Sequence, residues 1–579
     1  MGDSRRRLTM GLHWRGGSGA AVVVALIVSA CSTTTSSQPP ASAAPATPGA
    51  STSEAPSSPA ASTIPQGGTL SIAWASDIQY FDPAKGYDVV SWPAERMMFE
   101  TLVTYDSGTK LVPLLADGMP TISSDGKTYT FKLHTGVKFV KPDGTVAGDM
   151  TSADVVDSIN RVLDPKLKPS PSPVAGGFFG NIVGAADVLS GKATTASGIK
   201  AIDPSTVEFD LVNADATFLN VMATPFAAIV PKGTAHDASV VATAPTGTGP
   251  YTLKSYTKGQ QATFVANKSY WQAGQPYLDE LDFKVGVDDN AAIQQIEAGT
   301  LDLMGDTIPS GSFTQITTDP QYADQVVHHT LVDTDYLFMD ASQPNKGPLS
   351  NVKVRQAIEY AIDKDNIIKL VHGAGVKADC IFPPDMPGYD PTCTPYSFDP
   401  AKAKQMLADA GFPNGFKSTL YTDTTDPDPA IAQALQQDLA NVGITVNVVT
   451  EEFSTFLDRI ETPHKAPLGW VGWFQDYPDP SDFIDPILSC ATAVQGGANA
   501  SWYCNKDVDA LAAAAKGETD STKRIAEYQD IQKKIMADAP WVPVRHQEWF
   551  TLVGKRVGGF SIHPVWQYDL RNLWVKPGS

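Results

Sequence analysis

The chain has 579 residues, with 63 Asp and Glu against 43 Lys and Arg, a formal charge of −20. Loss of a leader carrying Arg5, Arg6, Arg7, Arg15 and Asp3 would leave −23, and an acidic product without a basic stripe is a poor nucleic-acid binder. About 510 residues follow Gly67, more than one hydrophobic core organises, so two or three lobes are expected.

At the start, the charged tip precedes the apolar run Ala20–Ala30 and then Cys31. A run of about eleven apolar or small residues is too short to span a bilayer but fits the core of an export signal. Val28-Ser-Ala-Cys31 looks like a bacterial lipobox, in which small residues admit the peptidase and the Cys31 thiol takes the lipid. The competing reading is an ordinary secretory signal with an incidental cysteine. Residues 1–30 are thus expected to be a lipoprotein signal peptide, and the product to sit outside the cytoplasm, held to the cell membrane by acyl chains. Sec and Tat export are not distinguished. Residues 31–66, rich in Ser, Thr, Pro and Ala with Glu54 as the one charge, are expected to form a disordered tether. No later apolar run approaches twenty residues.

Strands and helices then mix to the end of the chain. Thr69–Trp74 reads as a strand, and Tyr129, Phe131 and Leu133 alternate with polar residues after the Asp125-Gly126 turn. Thr151-Ser-Ala-Asp154 resembles a capping box ahead of Val155, Ile159 and Val162 at helical spacing. Val354, Ile358, Ala361 and Ile362 form a second stripe. Asp399-Pro400 offers a cap and a first-turn proline, and Gly411 a stop. Ile431, Leu435, Leu439 and Val442 predict a helix leading through Gly443 into the strand Ile444–Val449. Ile525, Tyr528, Ile535 and Met536 mark a late helix stopped by Pro540. The class is α/β. Cys380, Cys393, Cys490 and Cys504 form two local pairs in loop-like sequence, and disulfides Cys380–Cys393 and Cys490–Cys504 are the simplest of three connectivities. Each would stabilise by roughly 2–3 kcal/mol in the chain-entropy model. Zinc is disfavoured by the spacing.

A series of short motifs carries a family resemblance. Gly68-Thr-Leu, Phe81-Asp-Pro-Ala84, Phe99-Glu-Thr-Leu-Val-Thr-Tyr-Asp106, Leu111-Val-Pro-Leu-Leu-Ala116, Ser124-Asp-Gly-Lys-Thr-Tyr-Thr-Phe131 and Gly136-Val-Lys-Phe139 occur in order. Thr248-Gly-Pro-Tyr251, Asn267-Lys-Ser-Tyr-Trp271, the run Val352–Asp363, Phe398-Asp-Pro400, Ala410-Gly-Phe-Pro413 and Asp476-Tyr-Pro-Asp-Pro480 follow. Across residues 67–579 the chain resembles the family 5 extracellular solute-binding proteins, the oligopeptide and dipeptide receptors of ABC importers. The resemblance implies a two-lobed, periplasmic-binding-protein-like clamp with an extra subdomain inserted in the first lobe. Lobe I would comprise 67–107, 225–330 and 552–579, the inserted subdomain 108–224, and lobe II 331–551.

The same likeness points to a site. In peptide-binding members the aspartate of a Trp-x-x-Asp segment pairs with the peptide's α-amino group, and Trp473-Phe-Gln-Asp476 keeps that spacing. A cation withdrawn from water needs such a counter-charge. The alternative is a plain turn whose carboxylates bond backbone amides. Gly472, Trp473 and Phe474 match the strand along which relatives bond the peptide main chain, and Trp470, Trp473 and Phe453 would wall pockets. Tyr87 lies in a first-lobe loop expected to face the cleft. Trp470 stands where some oligopeptide receptors carry arginine. Arg545-His-Gln-Glu548 replaces expected aromatics and is left open between meeting a ligand and facing water.

No Gly-x-Ser-x-Gly, His-Glu-x-x-His or Walker-type loop occurs, and His328-His329 sits on a predicted strand where neighbours point apart, so no enzyme activity, metal or cofactor is expected. The expected partners are a short peptide, ABC permease subunits and, through the lipid, the membrane, with the protein a monomer. Oligosaccharides, stacked on Trp470, Trp473, Trp502 or Trp549, or nickel chelates are alternative cargoes on the same fold. A surface signalling or adhesion module is the alternative of another class.

Overall fold

The computed structural model describes residues 64–342 and 347–578. The signal peptide, the lipidation site Cys31 and all of the tether up to residue 63 lie outside the described residues.

The chain lays down β1 (Thr69–Trp74), whose last five residues are buried, and then leaves it. A small antiparallel sheet follows, made of β2 (Thr121–Ile122), β3 (Thr128–Lys132), β4 (Ile199–Asp203) and β5 (Thr206–Asp210) in the order β2-β3-β5-β4. Helix α1 (Ser152–Leu163) packs on it, and the capping box forms: the Asp154 carboxylate accepts from the Thr151 N–H at 2.8 Å. Strands β6 (Tyr251–Thr257), β7 (Gln261–Ala266), β8 (Glu280–Val285) and β9 (Leu303–Met304) then rejoin β1 in a five-stranded sheet, β6-β7-β8-β1-β9. Ile72 lies between Phe283 and Leu303 in this sheet's core. One lobe is therefore built from distant stretches of sequence, with the small sheet supplied by the chain between them.

The second lobe is more continuous. After α2 (Ser310–Thr318) come β10 (Val326–Thr330), β11 (Asp333–Met339), α3 (Val352–Ala361), β12 (Gly375–Lys377) and α4 (Pro400–Asp409). As the sequence predicts, Asp399 caps α4 by accepting from the Lys402 N–H at 2.9 Å. Next are β13 (Phe416–Asp423), α5 (Asp428–Asn441), β14 (Ile444–Glu451), α6 (Phe453–Ile460), β15 (Leu468–Phe474), α7 (Ser521–Asp538) and β16 (Trp541–Leu552). The sheet order is β10-β16-β11-β15-β13-β14, with β12 also on β16. Strands β13 and β14 are parallel across α5, whose Ile431, Leu435 and Leu439 are fully buried. Cys380 is bonded to Cys393 and Cys490 to Cys504.

Strand β16 belongs to both halves. Its first residues pair with β11, Trp541 opposite Phe338 and Arg545 opposite Asp335, while Glu548–Leu552 pair with β10. Its end reaches the first lobe, where the Thr551 hydroxyl donates to the Met304 carbonyl at 2.7 Å and Val553 bridges Leu303. The β10–β11 connection and β16 thus run side by side from one lobe to the other. No helix among the described residues is long and apolar enough to cross a membrane.

Candidate ligand-binding cavity

A cavity of about 370 Å³ lies where these crossing strands meet the facing lobes. That volume is at the lower end of the range for small-ligand pockets, roughly 300–1,000 Å³. Its lining draws on Tyr87 and the start of α2 from one side, and on β11, β15, α6 and the loop before α5 from the other.

Asp476 lies just beyond β15 and lines the cavity, and its carboxylate accepts a hydrogen bond from the Tyr87 hydroxyl across the gap. The turn carrying it is fixed by a different acid. Asp482 accepts from the Asp476 N–H at 2.9 Å and from the Trp473 indole at 3.2 Å. Asp479 accepts from the Ser481 N–H at 2.9 Å and is held bidentately by Arg524. The turn reading therefore describes Asp479 and Asp482, while Asp476 is left facing the cavity. Burial and then the charge of Asp476 push the Asp482 carboxyl well above its ordinary range.

Strand β15 supplies the wall. It pairs with β11 along its whole length, but with β13 only at Leu468 and Gly469. Residues 471–474 therefore have a strand partner on one side only among the described residues, and all four line the cavity. Gly472 is required by its neighbour: a Cβ there would stand 2.2 Å from Asp335 Oδ1. Phe453, Leu457 and Ile460 line the cavity from α6 at helical spacing. Phe453 was singled out from the sequence and the other two were not, although an i, i+4, i+7 stripe was there to read.

Trp470 is a correction. It is 1 % exposed and does not line the cavity; it packs among Leu337, Ile431, Leu435 and Val542. Position 470 packs against α5, before the stretch of β15 that lines the cavity. Its indole still matters there, donating to Asp428 Oδ1 at 2.9 Å. Of the four tryptophans weighed for stacking, Trp473 and Trp549 line the cavity and Trp470 and Trp502 do not. None of the disulfide cysteines lines it either.

The segment Arg545–Glu548 divides between the cavity and the interior. Arg545, Gln547 and Glu548 line the cavity, whereas His546 is buried behind them, its Nδ1 2.8 Å from the Asp333 carbonyl oxygen. Arg545 is paired with Asp335: its Nε and Nη2 donate to Asp335 Oδ2 at 2.8 and 2.5 Å. Beside this pair stand Asp333 and Asp428. Asp333 Oδ1 accepts from the Gln547 N–H at 2.7 Å just beyond the last ladder pair of β11 and β16, and its Oδ2 is buried with no hydrogen-bond partner among the described residues. Burial, then Asp335, pushes the Asp333 carboxyl well above the usual range. Burial, then Asp423 and Asp335, does the same to Asp428. Sequence reasoning left Arg545 open and missed Asp333, Asp335 and Asp428, because strand pairing and the start of α5 bring them together only in the fold.

The family model for "Bacterial extracellular solute-binding proteins, family 5 Middle" matches residues 110–495. The chain belongs to this family of bacterial extracellular solute-binding proteins. It is 32 % identical to the dipeptide-binding protein of Escherichia coli over 86 % of this chain and 92 % of that protein. It is 31 % identical to heme-binding protein A of Haemophilus influenzae over 84 % and 88 % of the two chains. Among solved structures it matches the periplasmic binding protein DppA of Helicobacter pylori in complex with peptide STSA, with a TM-score of 0.70, 27 % identity and coverage of 88 % and 98 %. The fold is the two-lobed clamp shared with these periplasmic binding proteins, as the family likeness implies.

Proposed function

We propose that this family 5 receptor captures short peptides between its lobes and hands them to an ABC permease while tethered to the outer face of the membrane through lipid on Cys31. The observation that carries the reading is Asp476: a carboxylate at the end of a half-open strand, lining the inter-lobe cavity and bonded to Tyr87 of the opposite lobe. A peptide's α-ammonium would take the place of, or join, the Tyr87 hydroxyl. The open edge of residues 471–474 supports strand addition, which holds a main chain without reading its sequence. Trp473, Phe474 and Phe453 would cover the side chains, and the small volume favours two or three residues.

Closure would follow from contacts made in both lobes at once. A ligand touching Asp476 on one side and Tyr87 on the other favours the shut form by its differential affinity for it. The hinge would be the β10–β11 connection and β16. In this reading lobe I comprises 67–107, 225–330 and 552–579, the inserted subdomain 108–224 and lobe II 331–551.

Calorimetry on Asp476→Ala tests the reading. Affinity for free-amine peptides is expected to fall at least tenfold, about 1.4 kcal/mol. An unchanged affinity would remove Asp476 from the site.

A further inference from the structure

We infer that the cavity has a second cation-binding point, formed by Asp333, Asp335 and Asp428, that takes the ammonium or guanidinium of a basic side chain at the second or third residue of the cargo. The inference deepens the peptide-receptor reading and rests on it.

The lining carries Asp333, Asp335, Asp423, Asp426, Asp428 and Glu461 in addition to Asp476 and Glu548. Against these, Arg545 is the one permanent cation among the described lining residues. The Arg545 guanidinium is committed to Asp335 and is 5 % exposed, so it is poorly placed to greet a ligand's carboxylate. A negatively charged cargo group would enter a field of its own sign.

Folding does not need the surplus charge. Asp333 Oδ1 accepts one backbone N–H and Asp428 Oδ1 accepts one indole N–H, and an amide oxygen would accept either as well. What an amide could not supply is a second oxygen that becomes a charged acceptor when a cation arrives. Asp333 Oδ2, on a side chain buried at 1 % exposure in the cavity wall, is such an oxygen, its accepting capacity unused. A buried acceptor without a donor costs on the order of 1–3 kcal/mol, and a cationic donor entering the cavity would relieve it. The position suits a peptide held at Asp476. Asp335 stands opposite Gly472 and Asp333 opposite Phe474, so the cluster lies back along the strand that would carry the peptide main chain.

The test is calorimetry on the mature protein with Ala-Lys-Ala, Ala-Ala-Lys and their norleucine counterparts, which keep the aliphatic stem and lose the charge. At least one lysine peptide is expected to bind ten times more tightly than its counterpart, and Asp333→Asn or Asp428→Asn to shrink that ratio below threefold. Equal binding of lysine and norleucine peptides, or a ratio that survives both substitutions, overturns the inference and leaves the peptide reading standing. Failure of all four peptides to bind overturns the peptide reading and the inference with it.

Discussion

Two buried charge clusters in this molecule are built on opposite terms. In the first lobe Arg96 and Arg571 share their surroundings with Asp569 and Glu100, two cations to two anions. Arg571 holds Asp569 through two bonds of 2.8 Å, with Arg96 3.5 Å away and its guanidinium stacked 4.0 Å over Trp566. Glu100 accepts from Tyr270 at 2.8 Å and from Trp271 at 3.0 Å. Burial would raise the Asp569 carboxyl, yet Arg571 and Arg96 overcome it and hold it below the usual range. In the cavity, three carboxylates crowd one guanidinium, and burial and mutual repulsion drive Asp333 and Asp428 upward. A cluster whose charges balance internally is neutralised by folding, even where Arg96 Nε and Nη2 have no hydrogen-bond partner among the described residues. One left in surplus beside a cavity has room for a partner from outside.

Breaking the balanced cluster should have the larger effect on stability. Asp569→Ala leaves two buried guanidiniums short of an anion, and a loss of about 3–5 kcal/mol is expected in denaturant unfolding. A loss below about 1 kcal/mol would mean that the cluster is not balanced by Asp569.

Acid should strain the same cluster. His563 is buried beside it and neutral, its Nε2 donating to the Asp106 carbonyl at 2.6 Å and its Nδ1 accepting from the Val565 and Trp566 N–H groups at 3.1 and 3.2 Å. Burial, with Arg96 adding to it, lowers its pKa from 6.5 to about 4. The unfolded chain therefore binds the proton first as pH falls, so the stabilisation is complete above pH 6.5 and is lost progressively toward pH 4. The loss is about 3 kcal/mol for the full shift. Melting curves across that window should be flatter for His563→Gln than for the unaltered protein; parallel curves would contradict the assignment.

The surplus cluster should respond in the other direction. Asp428→Asn keeps an acceptor for Trp470 and removes one of the crowded charges, so unfolding in the absence of peptide is expected to change by less than about 1 kcal/mol, and toward greater stability. A loss of 3 kcal/mol would show that the charge serves the fold.

The contrast also explains what could be read from the sequence. The Thr151–Asp154 capping box, the Asp399 cap, the helical stripe of Ile431, Leu435 and Leu439 and the first strand are local patterns, and each forms as its spacing predicts. The Trp473–Asp476 segment was visible because its spacing is contiguous. Asp333 and Asp428 were not, and the role of Arg545 was left open, since nothing in three separate stretches declares that β11 will lie against β16 and that the loop after β13 will line the same cavity. Arg545 and His546 illustrate the difficulty. A strand's period of two says that neighbours point apart, but only the register says which of them meets the cavity.

The central claim is that the cavity neutralises a positive end through Asp476. Its most direct test is calorimetric titration of the unaltered protein with a free-amine tripeptide and with the same peptide acetylated at its amino terminus. The account predicts that acetylation weakens binding at least tenfold; equal affinity for the two peptides would contradict it.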